Sequence, residues 1–161
     1  MHSKLIKHLE IRRLLWYDNP NVFRRKAAMN YQEMIDTTNE RNTFMRRNRI
    51  RVTGLERDRA TVQAIVTQEL MNLNGTVHGG VYFTMADACC GILARADGRN
   101  YVTTDTSFRF LKAASAGTME AEATVVKRGK TLSFFRVIVR QKETGDVLAD
   151  GAFTFFCTSE G

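Results

Sequence analysis

A glycine-rich turn followed by a long apolar segment constrains the fold of this chain more than any other feature. The turn ends in His78-Gly79-Gly80, and the residues that follow, 81–94, are nearly all apolar. Asp87 is the only side chain between His78 and Arg95 expected to carry a charge. A lone carboxylate in apolar surroundings costs several kcal/mol unless it is hydrogen-bonded or hydrated. The pattern therefore predicts a buried central helix with one carboxylate, whose presence there requires a structural or functional explanation.

The start of this helix offers backbone donors to a ligand. Gly79 and Gly80 have no side chains, so a carbonyl or an anion can approach their N–H groups at the positive end of the helix. Asp87 lies roughly 12 Å further along the axis, because a helix rises about 1.5 Å per residue. One helix cannot easily bring both groups to one reacting atom. Two antiparallel copies in a symmetric dimer can do so, and they would form two equivalent sites.

Ordinary structural roles remain open for each of these residues. Paired glycines often precede a helix, His78 can serve as a cap alone, and Asp87 can bond to a neighbouring strand. Their combination within one short stretch favours a functional site.

The same residues resemble a family signature. Asn72, then His78-Gly79-Gly80, then Asp87 between two alanines is similar to the signature of hotdog-fold acyl-CoA thioesterases of the PaaI-like group. The resemblance covers roughly residues 48–157. It implies an antiparallel β-sheet wrapped around a central apolar helix, in a homodimer or homotetramer. It also implies hydrolysis of acyl-CoA thioesters to a free acid and coenzyme A.

The chain has the length of one compact domain, and its hydrophobic content of 43% is enough for a real core. Three cysteines, an odd number, predict reduced and buried thiols rather than disulfides or metal ligands. Charged residues interrupt every apolar run near the start, so we expect no secretory signal and no membrane span. These features predict a soluble, cytoplasmic protein.

The first 47 residues are expected to form a basic helical extension, and residues 48–161 the hotdog domain. Residues 1–51 hold 12 Lys or Arg and five Asp or Glu, which accounts for the whole net charge of +7. Apolar spacing predicts an amphipathic helix over residues 5–16 and a second over 22–35, ending at Thr37-Thr38-Asn39. Asn42 or Thr43 would cap a short turn carrying Phe44 and Met45.

This extension has more than one possible use. Its apolar stripes would pack on the main domain or on a neighbouring protomer, with the cations in solvent. The alternatives are attraction of coenzyme A phosphates, of a membrane surface or of nucleic acid. No interleaved aromatic residues or helix-turn-helix spacing support nucleic acid, which we do not expect as a partner.

Alternation with a period of two begins at residue 50 and predicts strands. After the helix, which should end near Asp97-Gly98, four more segments show this pattern, at residues 102–110, 119–125, 133–139 and 149–157. Turns at 128–130 and 144–146 would join the later strands into an antiparallel meander. A sheet with one apolar helix packed on it predicts the α+β class.

The sequence lacks the motifs of several other classes of enzyme. No serine lies in a Gly-x-Ser-x-Gly elbow, no phosphate-binding loop occurs, and the three histidines have neither metal-pair nor triad spacing. We therefore expect a hydrolase that uses no metal and no cofactor.

Roles follow as hypotheses. The amides of Gly79, and of Gly80 as a second donor, would hold the oxyanion that develops on the thioester carbonyl. Asp87 of the opposing protomer would act as general base or as nucleophile, and the residues do not decide between these. By resemblance Asn72 would help to place water or the carbonyl, and His78 would order the turn. Relatives with a Ser or Thr after the helix use it to position water.

Thr103 is the best match for that hydroxyl, and Thr104 is the alternative, since a shift of one residue changes the face of a strand. Lys112, Arg128 and Lys130 lie on loops where similar proteins place cations for coenzyme A, although a solvated loop cation is the ordinary explanation for each. The acyl pocket would draw on aromatic residues that are equally credible as core: Tyr82, Phe83, Phe108 and Phe110.

A different class of function also fits the chain. A non-catalytic acyl-CoA sensor would use the hotdog domain for binding and the basic extension for signalling. A pure binder has no need for an isolated carboxylate, so the presence of Asp87 and Asn72 favours the enzyme.

Overall fold

The computed structural model describes residues 30–159 as one antiparallel sheet with a central helix. In chain order the elements are helices α1 (Tyr31–Arg41) and α2 (Thr43–Arg47), strands β1 (Ile50–Leu55) and β2 (Arg59–Ile65), helix α3 (Gly79–Ala94), and strands β3 (Tyr101–Phe110), β4 (Thr118–Arg128), β5 (Leu132–Gln141) and β6 (Val147–Cys157). Short 3-10 turns, Gln68–Leu70 and Arg95–Asp97, lie before and after α3.

The six strands lie in the order β1-β2-β4-β5-β6-β3, and every neighbouring pair is antiparallel. Strands β4, β5 and β6 follow one another as a meander, as their alternation predicted. Strand β3 follows α3 and pairs with β6 at the edge of the sheet. The predicted α+β class and the single central helix are confirmed.

Helix α3 packs directly on the inner face of the sheet. Nine of its 16 residues are buried, and small residues of β4, Ala121 and Ala123, allow its close approach. The Cys89 thiol donates to the carbonyl oxygens of Ala60 (3.3 Å) and Ala121 (3.4 Å). Each large apolar side chain buried in this way contributes roughly 1.5–3 kcal/mol. Helix α3 is therefore the centre of the hydrophobic core.

The end of α3 follows the sequence pattern closely. The helix itself ends at Ala94, the 3-10 turn continues to Asp97, and Gly98 adopts a left-handed conformation with φ of 84°. Glycine accepts this conformation without steric cost, which makes it a common residue after a helix. The predicted end near Asp97-Gly98 is thus correct.

Helices α1 and α2 pack beside β1. Each buries one methionine, Met34 and Met45, and the Asn42 side chain caps α2 by accepting from the Met45 N–H at 3.1 Å. Asn42 was one of the two predicted caps. These contacts favour the packing explanation for the part of the extension that the structure describes. The predicted helix at 5–16 and the start of the second, at 22–29, lie outside the described residues, and the domain boundary at residue 47 stays a prediction.

The predicted end of the second helix at Thr37-Thr38-Asn39 is wrong, because α1 continues to Arg41. Asn39 has a different use. Its Nδ2 donates to the Val52 carbonyl (2.9 Å), and its Oδ1 accepts from the Val52 N–H (2.8 Å). Asn39 therefore pairs with the backbone of edge strand β1 as another strand would, and this contact outweighs its local preference to end a helix.

The three cysteines, Cys89, Cys90 and Cys157, are buried and unpaired, as predicted. Burial raises the pKa of Cys89 to about 12 and that of Cys90 well above its ordinary value. Among residues 30–159, no helix combines the length and the apolar character that a membrane crossing requires.

Candidate functional site

The turn before α3 is held together by the Asn72 side chain. Its Oδ1 accepts from the N–H groups of Asn74 (2.8 Å) and Thr76 (3.3 Å), and its Nδ2 donates to Thr76 Oγ1 (3.0 Å). Gly75 completes the turn with φ of +72°, a conformation that favours glycine. The amide of Asn72 therefore bonds within its own loop and sets the path of the chain toward His78.

His78 caps α3. Its backbone N–H donates to the Leu70 carbonyl (2.8 Å), and its Nδ1 accepts from the Gly80 N–H (2.9 Å). An accepting Nδ1 requires a neutral ring with the proton on Nε2. The expected ordering role of His78 thus has a specific contact, and the same contact occupies the Gly80 amide. The use of Gly80 as a second donor to a substrate stays a prediction, and it would require this hydrogen bond to be given up.

Gly79 is placed differently from Gly80. Within residues 30–159 its N–H donates to no acceptor, and a Cβ added there would lie 3.3 Å from the Phe110 ring. Glycine therefore lets the aromatic ring close over the start of α3 while leaving one amide available. Of the two candidate donors, only the Gly79 amide has no acceptor within the described residues.

Asp87 lies two turns further along α3 and is half-buried. Its Oδ1 accepts a hydrogen bond of 2.7 Å from Thr103 Oγ1 of β3. Its other oxygen, Oδ2, receives no hydrogen bond within the described residues. The carboxylate is therefore oriented by one hydroxyl and keeps acceptor capacity for a ligand or a water molecule.

A β-bulge separates the two threonines considered for this strand. The pairing of β3 with β6 shifts between Thr103 and Asp105, so Thr104 is the extra residue. Thr103 consequently faces α3, whereas the Thr104 hydroxyl donates to the Thr154 carbonyl of the neighbouring strand (3.1 Å). Only Thr103 contacts Asp87.

Asp87 opens into a cavity of about 500 Å³, which we call the Asp87 cleft. The residues that line it come from α1 and α2, from one face of α3, from the start of β3 and from β6: Thr38, Asn42, Phe44, Met45, Phe83, Thr84, Asp87, Ala88, Gly91, Ile92, Arg95, Tyr101, Val102, Thr103 and Phe155. A second, open hollow of about 750 Å³ is lined by the turn and the start of α3: Gln68, Met71, Asn72, Leu73, Asn74, His78 and Gly79. The two cavities share no residue, so Gly79 and Asp87 of one chain face different openings.

The cations proposed for coenzyme A have unequal environments. Lys112 forms an ion pair with Asp146 (2.6 Å), and Lys130 is exposed. Arg128 is only 15% exposed, and its guanidinium donates to the carbonyls at the end of α3, Leu93 (2.9 Å) and Ala94 (3.0 Å). Positive charge at a helix C-terminus is stabilising. Arg128 thus has a structural task, which corrects the interpretation as a solvated cation, whereas its contact with a coenzyme A phosphate stays a prediction.

The four aromatic candidates for the acyl pocket also differ in their environments. Tyr82 is buried, and its hydroxyl oxygen accepts from the Ala114 N–H (2.8 Å); burial raises its pKa. Phe83 lines the Asp87 cleft and is 37% exposed. Phe108 packs edge-on against Phe83 and Phe110, outside the cleft lining. Of the four, Phe83 alone reaches the cleft.

An ion cluster at the end of α3 was not anticipated. Asp97 accepts from the Arg99 guanidinium (2.7 and 2.9 Å) and from the Tyr101 hydroxyl (2.7 Å). Burial alone would raise the pKa of Asp97, but these hydrogen bonds outweigh it and lower the pKa. Burial and the bond to Asp97 together raise the pKa of Tyr101. The cluster holds the start of β3, and therefore one wall of the Asp87 cleft.

The sequence interpretation also missed the roof of this cleft. Thr38, Asn42 and Phe44 come from the helical extension, and no local sequence pattern predicts that they line a cleft together with α3. No group of three His, Cys, Asp or Glu side chains in the described part of the chain is arranged to hold a metal ion.

Comparison with known proteins gives matches across this region. A family model described as "Thioesterase superfamily" matches residues 74–148, which include His78, Gly79, Asp87 and Thr103. A Deinococcus radiodurans protein named "Putative esterase" is 37% identical over 93 residues, 57% of this chain and 63% of its own. A Saccharolobus solfataricus protein of the same description is 31% identical over 104 residues, 63% of this chain and 69% of its own.

Human acyl-coenzyme A thioesterase 13 is 34% identical over 92 residues, 55% of this chain and 66% of its own. The chain thus spans less than two thirds of the length of the first curated relatives it matches.

Solved structures agree with these matches. The phenylacetic acid degradation protein PaaI of Thermus thermophilus superposes with a TM-score of 0.66 and 26% identity, over 70% of this chain and 96% of its own. A Streptococcus mutans protein bound to acetyl CoA has a TM-score of 0.65 and 26% identity, over 69% of this chain and 90% of its own.

Proposed function

The chain belongs to the hotdog-fold thioesterase superfamily, in the PaaI-like group, and from this premise we propose that it hydrolyses acyl-CoA thioesters to a free acid and coenzyme A. One observation carries the proposal. Asp87, on an otherwise apolar helix, is oriented by the Thr103 hydroxyl at 2.7 Å and opens into a cleft large enough for an acyl group.

The Gly79 amide supplies the electrostatic part of the reaction. It polarises the thioester carbonyl and stabilises the oxyanion that forms there, an effect worth about 3 kcal/mol per donor. Gly79 and Asp87 of one chain lie roughly 12 Å apart along α3 and face different cavities. We therefore propose that each site combines Gly79 of one protomer with Asp87 of its partner in a symmetric dimer or tetramer.

Asp87 acts in one of two ways. As general base it takes a proton from water while the water oxygen attacks the carbonyl carbon; the C–S bond then breaks, and the sulfur receives a proton. As nucleophile its own oxygen attacks, the C–S bond breaks, and the coenzyme A thiolate leaves and takes a proton from solvent. Water then hydrolyses the resulting anhydride to the free acid and the Asp87 carboxylate. Label in the Asp87 carboxylate after a single turnover in H₂¹⁸O would identify the nucleophilic route, because only an anhydride that water attacks at its aspartyl carbonyl carries the label into the enzyme.

The surrounding residues position these groups. Thr103 orients Asp87 and exchanges its hydrogen bond with an attacking water. His78 fixes the start of α3 through Gly80, and Asn72 fixes the turn that precedes it. These two side chains act through the backbone they hold, so their loss should reduce the rate less than loss of Asp87.

The coenzyme A portion requires cations for its phosphates. Lys112, Lys130 and Arg128 remain in the proposal; the first two are exposed, whereas Arg128 already donates to the end of α3. The acetyl CoA bound to the similar Streptococcus mutans protein supports a coenzyme A thioester as ligand.

A series of acyl-CoA esters, assayed by release of the free thiol, tests this function. We expect turnover of at least one ester at a rate proportional to enzyme concentration. Tight binding of esters without release of thiol would replace hydrolysis by the sensor function. Neither binding nor release would refute both.

A further inference from the structure

We propose that the Asp87 cleft holds the acyl group and that Gly91 and Phe44, on opposite walls, set the largest acyl group that fits. This inference rests on the proposed thioesterase function. It assigns a task to the described part of the helical extension, because α1 and α2 form one wall of the cleft.

The floor of the cleft is one stripe of α3. Asp87 and Gly91 are four residues apart, so they lie on the same helical face one turn from each other. A side chain at position 91 would project beside the carboxylate. The absence of one leaves space next to the group that we expect to act on the thioester.

Gly91 is not required by the fold. It lies inside a helix, where glycine is less stable than alanine, and its φ is not positive. A Cβ added there would approach nothing closer than 3.8 Å, in the Phe155 ring, which is an ordinary contact. By contrast, a Cβ at Gly80 would lie 3.2 Å from the His78 ring. Room in the cleft is therefore the physical reason that the structure offers for Gly91.

The opposite wall is held firmly enough to limit size. Helix α2 is capped by Asn42 and anchored by Met45, which is 3% exposed. Phe44, next to that anchor, lines the cleft yet remains 62% exposed. An aromatic side chain presented in this way offers apolar area for a ligand to cover. Phe83 and Phe155 add two more aromatic side chains to a lining that also holds Arg95 and polar residues. The aromatic part of the lining suits an uncharged acyl group.

The experiment compares Gly91→Ala, Phe44→Ala and wild type on acetyl, butanoyl, hexanoyl, octanoyl and benzoyl coenzyme A. Gly91→Ala should lower kcat/KM for the largest ester that wild type accepts by about 10- to 200-fold, the usual effect of one methyl group in a tight pocket, and leave the acetyl ester within about twofold. Its Tm should rise, which excludes misfolding as the cause. Phe44→Ala should shift the preference in the opposite direction, toward larger groups.

Phe134→Ala is the matched control, because Phe134 is a partly exposed phenylalanine outside the cleft. It should leave the size preference unchanged. An unaltered preference in both test variants, or an equal loss on every ester, would overturn this inference while leaving the proposed function intact. A wild-type chain that hydrolyses none of these esters would overturn the proposed function and the inference with it.

Discussion

Replacing Asp87 with asparagine tests the proposed chemistry most directly. The change removes the negative charge and the basicity of one side chain while nearly preserving its shape. Thr103 Oγ1 lies 2.7 Å from Asp87 Oδ1, and the asparagine oxygen can accept the same hydrogen bond. Exchanging a charged acceptor for a neutral one should cost at most about 1 kcal/mol of stability. The variant should therefore fold and assemble as wild type does.

The catalytic loss should be much larger than this structural cost. A positioned general base typically contributes about 10²- to 10⁴-fold, which corresponds to roughly 2.7–5.5 kcal/mol of barrier. If Asp87 is the nucleophile, the asparagine amide cannot take its place, and the loss should reach the upper end of that range or exceed it. We expect kcat/KM to fall by about 100-fold or more.

Free-thiol release on the best ester of the series measures this loss, and thermal unfolding with size-exclusion chromatography checks the fold and the assembly. Glu56→Gln is the matched control, since it removes one negative charge from an exposed residue that does not line the cleft. A folded Asp87→Asn protein that keeps more than about a tenth of wild-type kcat/KM, a barrier change under about 1.4 kcal/mol, would refute the role of this carboxylate.

Mixing and refolding Gly79→Val with Asp87→Asn should restore up to about half of the wild-type activity per heterodimer, because one of its two sites then carries neither change; demonstrated heterodimers without recovery would exclude the shared site. Arg128→Met should lower the free energy of unfolding by about 2–3 kcal/mol in urea, since carbonyls at the end of α3 lose a charged donor; an unchanged midpoint would contradict this. Burial raises the pKa of Cys89 from 9.0 to about 12, so the unfolded chain loses this proton first and stability should fall as pH rises from 9 toward 12. Denaturation at several pH values measures this fall in stability, which should be shallower in Cys89→Ala.

The sequence by itself determined the framework of this protein. The apolar run after Gly80 specified the central helix, because a helix that is apolar on nearly all sides must be buried. Alternating segments specified the strands, because side chains of a strand point to opposite faces. Asp87 stood out for a related reason, since a single charge among apolar neighbours is visible without any knowledge of the fold.

Tertiary contacts decided which neighbouring groups are available at the candidate site. The sequence favoured Thr103 and kept Thr104 as an alternative, and the bulge against β6 turned only Thr103 toward Asp87. It also offered Gly80 as a second donor beside Gly79, whereas in the structure the His78 ring accepts from the Gly80 amide. Both choices depend on where a hydrogen-bond partner lies in space.

Long-range partners also explain the predictions that failed. The local preference of asparagine predicts that a helix ends near Asn39. Its hydrogen bond with the Val52 backbone, 13 residues away, instead keeps it inside α1. The sequence around Arg128 predicts a solvated loop cation. In the structure its guanidinium contacts the end of α3, which lies more than 30 residues earlier in the chain. The roof of the Asp87 cleft has the same origin, since Phe44 and Gly91 line one cleft only through the packing of the whole chain. Periodicity records which face of an element is buried, whereas the partner that covers this face is decided by the packing of the whole chain.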